Sequence, residues 1–149
     1  MRRSLLLAAL FCLVLAVPGL VQAGIVARIN ISSQRMNVYV DGMPRYTWLV
    51  STARPGYRTP VGTFRPTGLF RYHASTIYSG SPMPYSIFFL RGYAIHGTNY
   101  LSRLGEPASH GCVRLHPQHA ATLFALVRRE GMSNTHILIS DSRVAGLSR

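Results

Sequence analysis

Apolar residues recur at every second position through the early part of this chain, and that period constrains the fold more than any other feature. Ile25, Ala27, Ile29 and Ile31 alternate with Val26, Arg28 and Asn30, and Met36, Val38 and Val40 alternate with Asn37, Tyr39 and Asp41. Side chains of a strand point to opposite faces in turn, so a period of two buries one face and wets the other. Asp41-Gly42 is a hairpin signal that leads into a strand-like run from Tyr46 to Ser51. Two prolines and a glycine between Arg54 and Pro60 require a loop. Further strands are read over Val61 to Phe64, Ser86 to Leu90, Tyr93 to His96 and Asn134 to Ser140. Helical spacing occurs once with conviction: Ala120, Leu123, Phe124 and Val127 share a face, Pro117 fits a first turn and Gly131 stops it. The expected class is mainly β, with one substantial helix.

The start of the chain has a different character. Arg2 and Arg3 precede an apolar run from Leu5 to Val17, which Pro18 and Gly19 break before Val21-Gln22-Ala23. That order reads as a secretory signal peptide over residues 1–23, followed by one domain over 24–149. Thirteen apolar residues fall short of the roughly 20 that span a bilayer, so no transmembrane segment is expected after cleavage. Phe11 stands before Cys12 where a lipoprotein signal places a small residue. Removing the leader takes away two arginines and no acid, so the formal charge falls from +12 to +10. A basic exported surface suits the acidic polymers or lipid head groups of an envelope. The arginines are scattered over strands and turns rather than gathered on a helix, so nucleic acid is not expected as a partner.

Without the leader, Cys112 is the only cysteine, which excludes an intramolecular disulfide in a compartment that oxidises thiols. A lone thiol there is either buried or useful, and its neighbours decide which. It sits in Ser109-His110-Gly111-Cys112-Val113-Arg114-Leu115, which a loop of about a dozen residues separates from a strand ending in His96-Gly97-Thr98. Gly111 permits close backbone approach, so the amides of Gly111 and Cys112 can address a developing oxyanion. An unperturbed thiol is mostly protonated near neutrality, and either His96 or His110 could activate it as a thiolate–imidazolium pair. His110 shares a face with Cys112 only if the stretch between them is extended. His96 approaches from another element and can be locked by packing, so it is the preferred base. For the third member, Glu106 and the carbonyl of Gly97 are both candidates. The carbonyl is preferred because no acid has a compelling position.

Together, His96-Gly97-Thr98-Asn99 and the motif from Ser109 to Leu115 resemble the signature of the L,D-transpeptidases, the YkuD-type catalytic domain. Ser51 to Phe64 resembles an earlier segment of that family, with Ala53 where many relatives carry glycine, and Met83-Pro84-Tyr85 resembles the segment before the histidine strand. The resemblance implies a β-sandwich-like catalytic fold whose cysteine attacks a tetrapeptide stem of peptidoglycan, releases the terminal D-alanine and passes the acyl group to an amine. It implies Cys112 as nucleophile, His96 as base, Gly97 as the orienting carbonyl and His110, Gly111 and Cys112 as oxyanion amides. Arg114, Ser109 and Tyr85 are implied on the substrate side, Arg114 meeting a substrate carboxylate or holding the site together and Tyr85 walling the cleft. The acceptor would be diaminopimelate of another stem, giving a 3-3 cross-link, or the terminal lysine of an envelope lipoprotein. Carbapenem-type inhibitors would acylate Cys112, and a periplasmic location follows from export.

Three rival readings accompany this one. Hydrolysis in place of transfer would make the chain an L,D-carboxypeptidase, and sequence does not separate the two. A non-catalytic envelope-binding module could use Tyr72, Tyr78, Tyr85 and Tyr93, but it has no need of Cys112. A zinc site would need three or four converging ligands; His116 and His119 are three apart at the helix start, a spacing that suits surface or capping groups. His73 and His136 show no partner and are read as structural. No cofactor or metal is expected.

Overall fold

The computed structural model describes residues 23–142. Among the described residues, nine strands form two sheets. The first contains β1 (Ile25–Asn30), β2 (Arg35–Val40), β3 (Met43–Leu49), β4 (Gly62–Phe64) and β9 (Thr135–Ser140), in the order β3-β2-β1-β9-β4. The second contains β5 (Gly68–Phe70), β6 (Ser86–Leu90), β7 (Tyr93–Gly97) and β8 (Val113–Leu115), in that order, and the helix α1 spans Pro117–Glu130. The expected mainly β fold with one substantial helix is the one observed. The expected leader lies outside the described residues.

The period-two pattern places Ile25, Ala27, Ile29, Met36 and Val38 in the core. Val26 departs from it, being buried as well, on a strand that is central in its sheet. Asp41 and Gly42, at φ 50° and 76°, form the two-residue turn between β2 and β3. Positive φ at both positions gives the reversed turn whose twist matches the strands. The strand β3 begins at Met43, three residues before the expected Tyr46, and carries Pro44. A proline is tolerated there because β3 is an edge strand.

Both sheets and the helix contribute to one core cluster, with Ala120, Leu123, Phe124, Leu126 and Val127 of α1 against Ile87, Phe89, Ile95 and Ile137. Each large apolar side chain fully buried in this way contributes about 1.5–3 kcal/mol. Pro117 occupies the first turn of α1, and the His116 ring caps it by accepting from the Gln118 amide at 3.2 Å. Gly131, at φ 91°, ends it. The His119 ring stacks on Trp48, centroids 5.0 Å apart, so the pair His116 and His119 serves packing and capping. The sequence reading missed β5 and β8, whose three residues each are too short to show a period.

Candidate active site

The strands β7 and β8 run parallel with Ile95 opposite Val113, His96 opposite Arg114 and Gly97 opposite Leu115. Ile95, Val113 and Leu115 point into the core and are at most 1% exposed. By the alternation of strand side chains, His96, Arg114 and Cys112 then share the opposite face. Continuing the register one step puts Ala94 across from Cys112. That face opens on a cavity of about 760 Å³, lined by His96, His110, Cys112 and Arg114 among others.

The turn before β8 is held from several directions. Ser109 Oγ donates to the Cys112 carbonyl at 2.6 Å and accepts the Gly111 amide at 3.0 Å. Thr59 Oγ1 donates to the Gly111 carbonyl at 2.8 Å and accepts the Ala53 amide at 3.0 Å. Gly111 sits at φ 135°, and a Cβ there would lie 2.6 Å from the Tyr93 ring and 2.9 Å from the Arg58 carbonyl oxygen, so only glycine fits. These bonds bear on two expectations. The Gly111 amide is already donated to Ser109 and is not free for an oxyanion. Ser109 does line the cavity, but its hydroxyl is committed to bracing the turn.

His96 is 6% exposed, and its Nδ1 lies 2.7 Å from the Gly97 carbonyl oxygen. A carbonyl only accepts, so Nδ1 carries the proton and Nε2 keeps its lone pair. Burial pushes the imidazole down to about 4, the Gly97 hydrogen bond opposing and the Arg114 and His73 charges adding to the fall. Burial also raises the Cys112 thiol above its ordinary value, against a hydrogen bond from the Ala94 backbone and the charge of Arg114. Desolvation thus disfavours both charged forms, the imidazolium and the thiolate. The thiol's contact is the Gly92 carbonyl oxygen, 3.8 Å from Sγ.

Gly97 is fixed by its amide bond to the Pro84 carbonyl at 2.8 Å, and a Cβ on it would meet Pro117 and Pro84 at 3.1 Å. Glu106 pairs with Arg103 at 3.1 Å on the surface. The His110 ring turns away from the core and stacks on Tyr78 at 4.2 Å, with Tyr57 edge-on at 4.7 Å. Partial burial and the Arg54 and Arg114 charges lower its basicity. Arg114 Nη1 reaches the Ala108 carbonyl at 3.4 Å, and its guanidinium lies over Tyr100. Tyr85 is the residue the structure does not bring to the cavity. Its ring packs edge-on against Phe124 of α1, 5.8 Å between centroids, and under Arg71. The tyrosines that line the cavity are Tyr78, Tyr93 and Tyr100. Nothing in the spacing of the sequence distinguishes these three from Tyr85. Among the described residues no three histidine, cysteine or acidic side chains gather as metal ligands.

Comparison with known proteins gives a consistent result. The family model described as the L,D-transpeptidase catalytic domain, YkuD, matches residues 24–139. A curated relative, the probable L,D-transpeptidase YbiS of Escherichia coli K12, is 31% identical over 139 residues, covering 76% of this chain and 44% of its own length. The chain thus spans less than half of that relative. Among solved structures, an L,D-transpeptidase from Xylanimonas cellulosilytica is 27% identical with a TM-score of 0.67, covering 80% of this chain and 61% of its own. L,D-transpeptidase 3 from Mycobacterium tuberculosis, solved with a faropenem-derived adduct, has a TM-score of 0.68 at 21% identity over 78% of this chain and 60% of its own.

Proposed function

This chain belongs to the L,D-transpeptidase catalytic-domain family, and from that premise we propose that it is a cysteine-dependent transpeptidase of peptidoglycan, with residues 24–149 as the catalytic domain and 1–23 as an export leader to the periplasm. The observation that carries the proposal is the shared cavity face of β7 and β8, where Cys112 sits one strand from an imidazole whose Nδ1 is held by Gly97. In this reading Cys112 Sγ attacks the carbonyl carbon after the L-centre of a tetrapeptide stem while His96 Nε2 takes the thiol proton. The C–N bond to the terminal D-alanine breaks, and His96 returns the proton to the leaving amine. The resulting thioester is attacked by an acceptor amine, whose proton goes to His96 and then to sulfur as the thiol is restored.

A neutral pair suits this scheme, since the proton moves as the nucleophile forms its bond and no ion pair has to be stored. With the Gly111 amide engaged, the amides of Cys112 and His110 are the oxyanion donors. Arg114 holds the carboxylate of the departing D-alanine. Acceptors are a second stem, giving a 3-3 cross-link, or an envelope lipoprotein, and carbapenems acylate Cys112. The β-lactam adduct on the mycobacterial relative supports the last point.

The test is product mass from purified tetrapeptide stems with an amine acceptor. Cross-linked or acceptor-joined products that vanish in Cys112→Ala are expected. Trimmed monomers alone would refute transfer, and turnover by Cys112→Ala would refute the nucleophile.

A further inference from the structure

The cavity carries more positive charge than the scheme above uses. Arg54, Arg103 and Arg114 line it, and no aspartate or glutamate does. Arg103 is neutralised by Glu106. Arg54 and Arg114 have no acidic partner among the described residues. A guanidinium does not shed its proton in a protein, so the repulsion between the two persists until an anion enters. Burial is the main reason the proton affinity of Arg114 falls, and the charge of Arg54 adds to the fall.

Both reach the same stretch of the turn. Arg114 lies two residues after Cys112, and its Nη1 reaches back to the Ala108 carbonyl at 3.4 Å. Arg54 is tied beside it: its amide donates to the Ser109 carbonyl at 2.9 Å, and Ala53 forms a parallel bridge with Ser109. The Tyr57 ring supports the Arg54 guanidinium at 4.9 Å. Stacking on a ring face fixes the plane of the group while leaving its N–H edge available to a planar anion. A peptide bound at Cys112 therefore meets two cations in this cavity, and because the departing D-alanine carries one carboxylate, the second cation is left for a carboxylate of the acyl part.

We propose that Arg54 is a specificity-determining residue that binds a second carboxylate of the donor, on the acyl side of the scissile bond, so that the site selects a dianionic stem. The inference rests on the donor chemistry proposed above. The carboxylate belongs to the second or the third residue of the stem, and amidation of each in turn separates the two sources.

The experiment measures kcat/KM of the wild-type protein on three synthetic tetrapeptide donors: free, amidated at the second residue, and amidated at the third. One amidation is expected to lower kcat/KM about tenfold or more, the usual scale for a charge-assisted bond in a partly solvated site. In Arg54→Gln that preference for the free donor falls to near unity, and in Arg54→Lys part of it returns. Indifference of the wild type to both amidations, or a preference that survives in Arg54→Gln, overturns the inference while leaving the transpeptidase reading intact. Failure of the wild type to turn over any of the three donors removes both.

Discussion

The ionisation state of Cys112 can be read directly by alkylation. Burial raises its thiol above the ordinary value of 9.0, so at pH 7 less than about 1% is thiolate. A stored thiolate–imidazolium pair would instead be almost fully ionised at that pH, with a thiol acidity several units stronger. The two arrangements differ by about a hundredfold in the rate at which iodoacetamide modifies Cys112 at neutrality, because only thiolate reacts. Rates followed by intact mass between pH 5 and 10 are expected to climb about tenfold per pH unit through pH 9. Arg114→Gln removes the cation that stabilises the thiolate and shifts the curve to still higher pH. A rate that has already levelled off at pH 6 would show that a neighbouring charge outweighs desolvation, and the neutral-pair argument would fail.

The His96 imidazole gives a matching stability prediction. Its affinity for protons falls from 6.5 to about 4 on folding, so the unfolded chain binds more protons between those values and stability rises with pH there. A contribution of about 3 kcal/mol is complete above pH 6.5 and is lost as pH falls to 4. Urea unfolding should therefore show a pH 7 to pH 4 difference that shrinks by about that amount in His96→Gln; an unchanged difference would mean another group titrates. Gly111→Ala forces a side chain into positive φ and against the Tyr93 ring and the Arg58 carbonyl. A loss of about 3 kcal/mol is expected from strain and displacement together, and a urea midpoint within error of wild type would contradict the close approach at this turn.

Local physics made much of this protein legible in its sequence. The alternation around Ile25 and Met36, the Asp41-Gly42 turn, and the Pro117 start and Gly131 stop of α1 each depend on residues a few positions apart, so a linear reading recovers them. The candidate site is legible for the same reason, since a glycine-bounded thiol and a strand-end histidine are defined by type and neighbour. What the tertiary structure decided depends on residues far apart in the chain. Tyr85 packs on α1 while Tyr78 and Arg54 reach the cavity, and no spacing rule distinguishes them. Thr59 donates to the Gly111 carbonyl from 52 positions away. Charge was the least legible property: desolvation disfavours the imidazolium of His96 and the thiolate of Cys112, and desolvation is set by everything packed around a group rather than by its sequence neighbours.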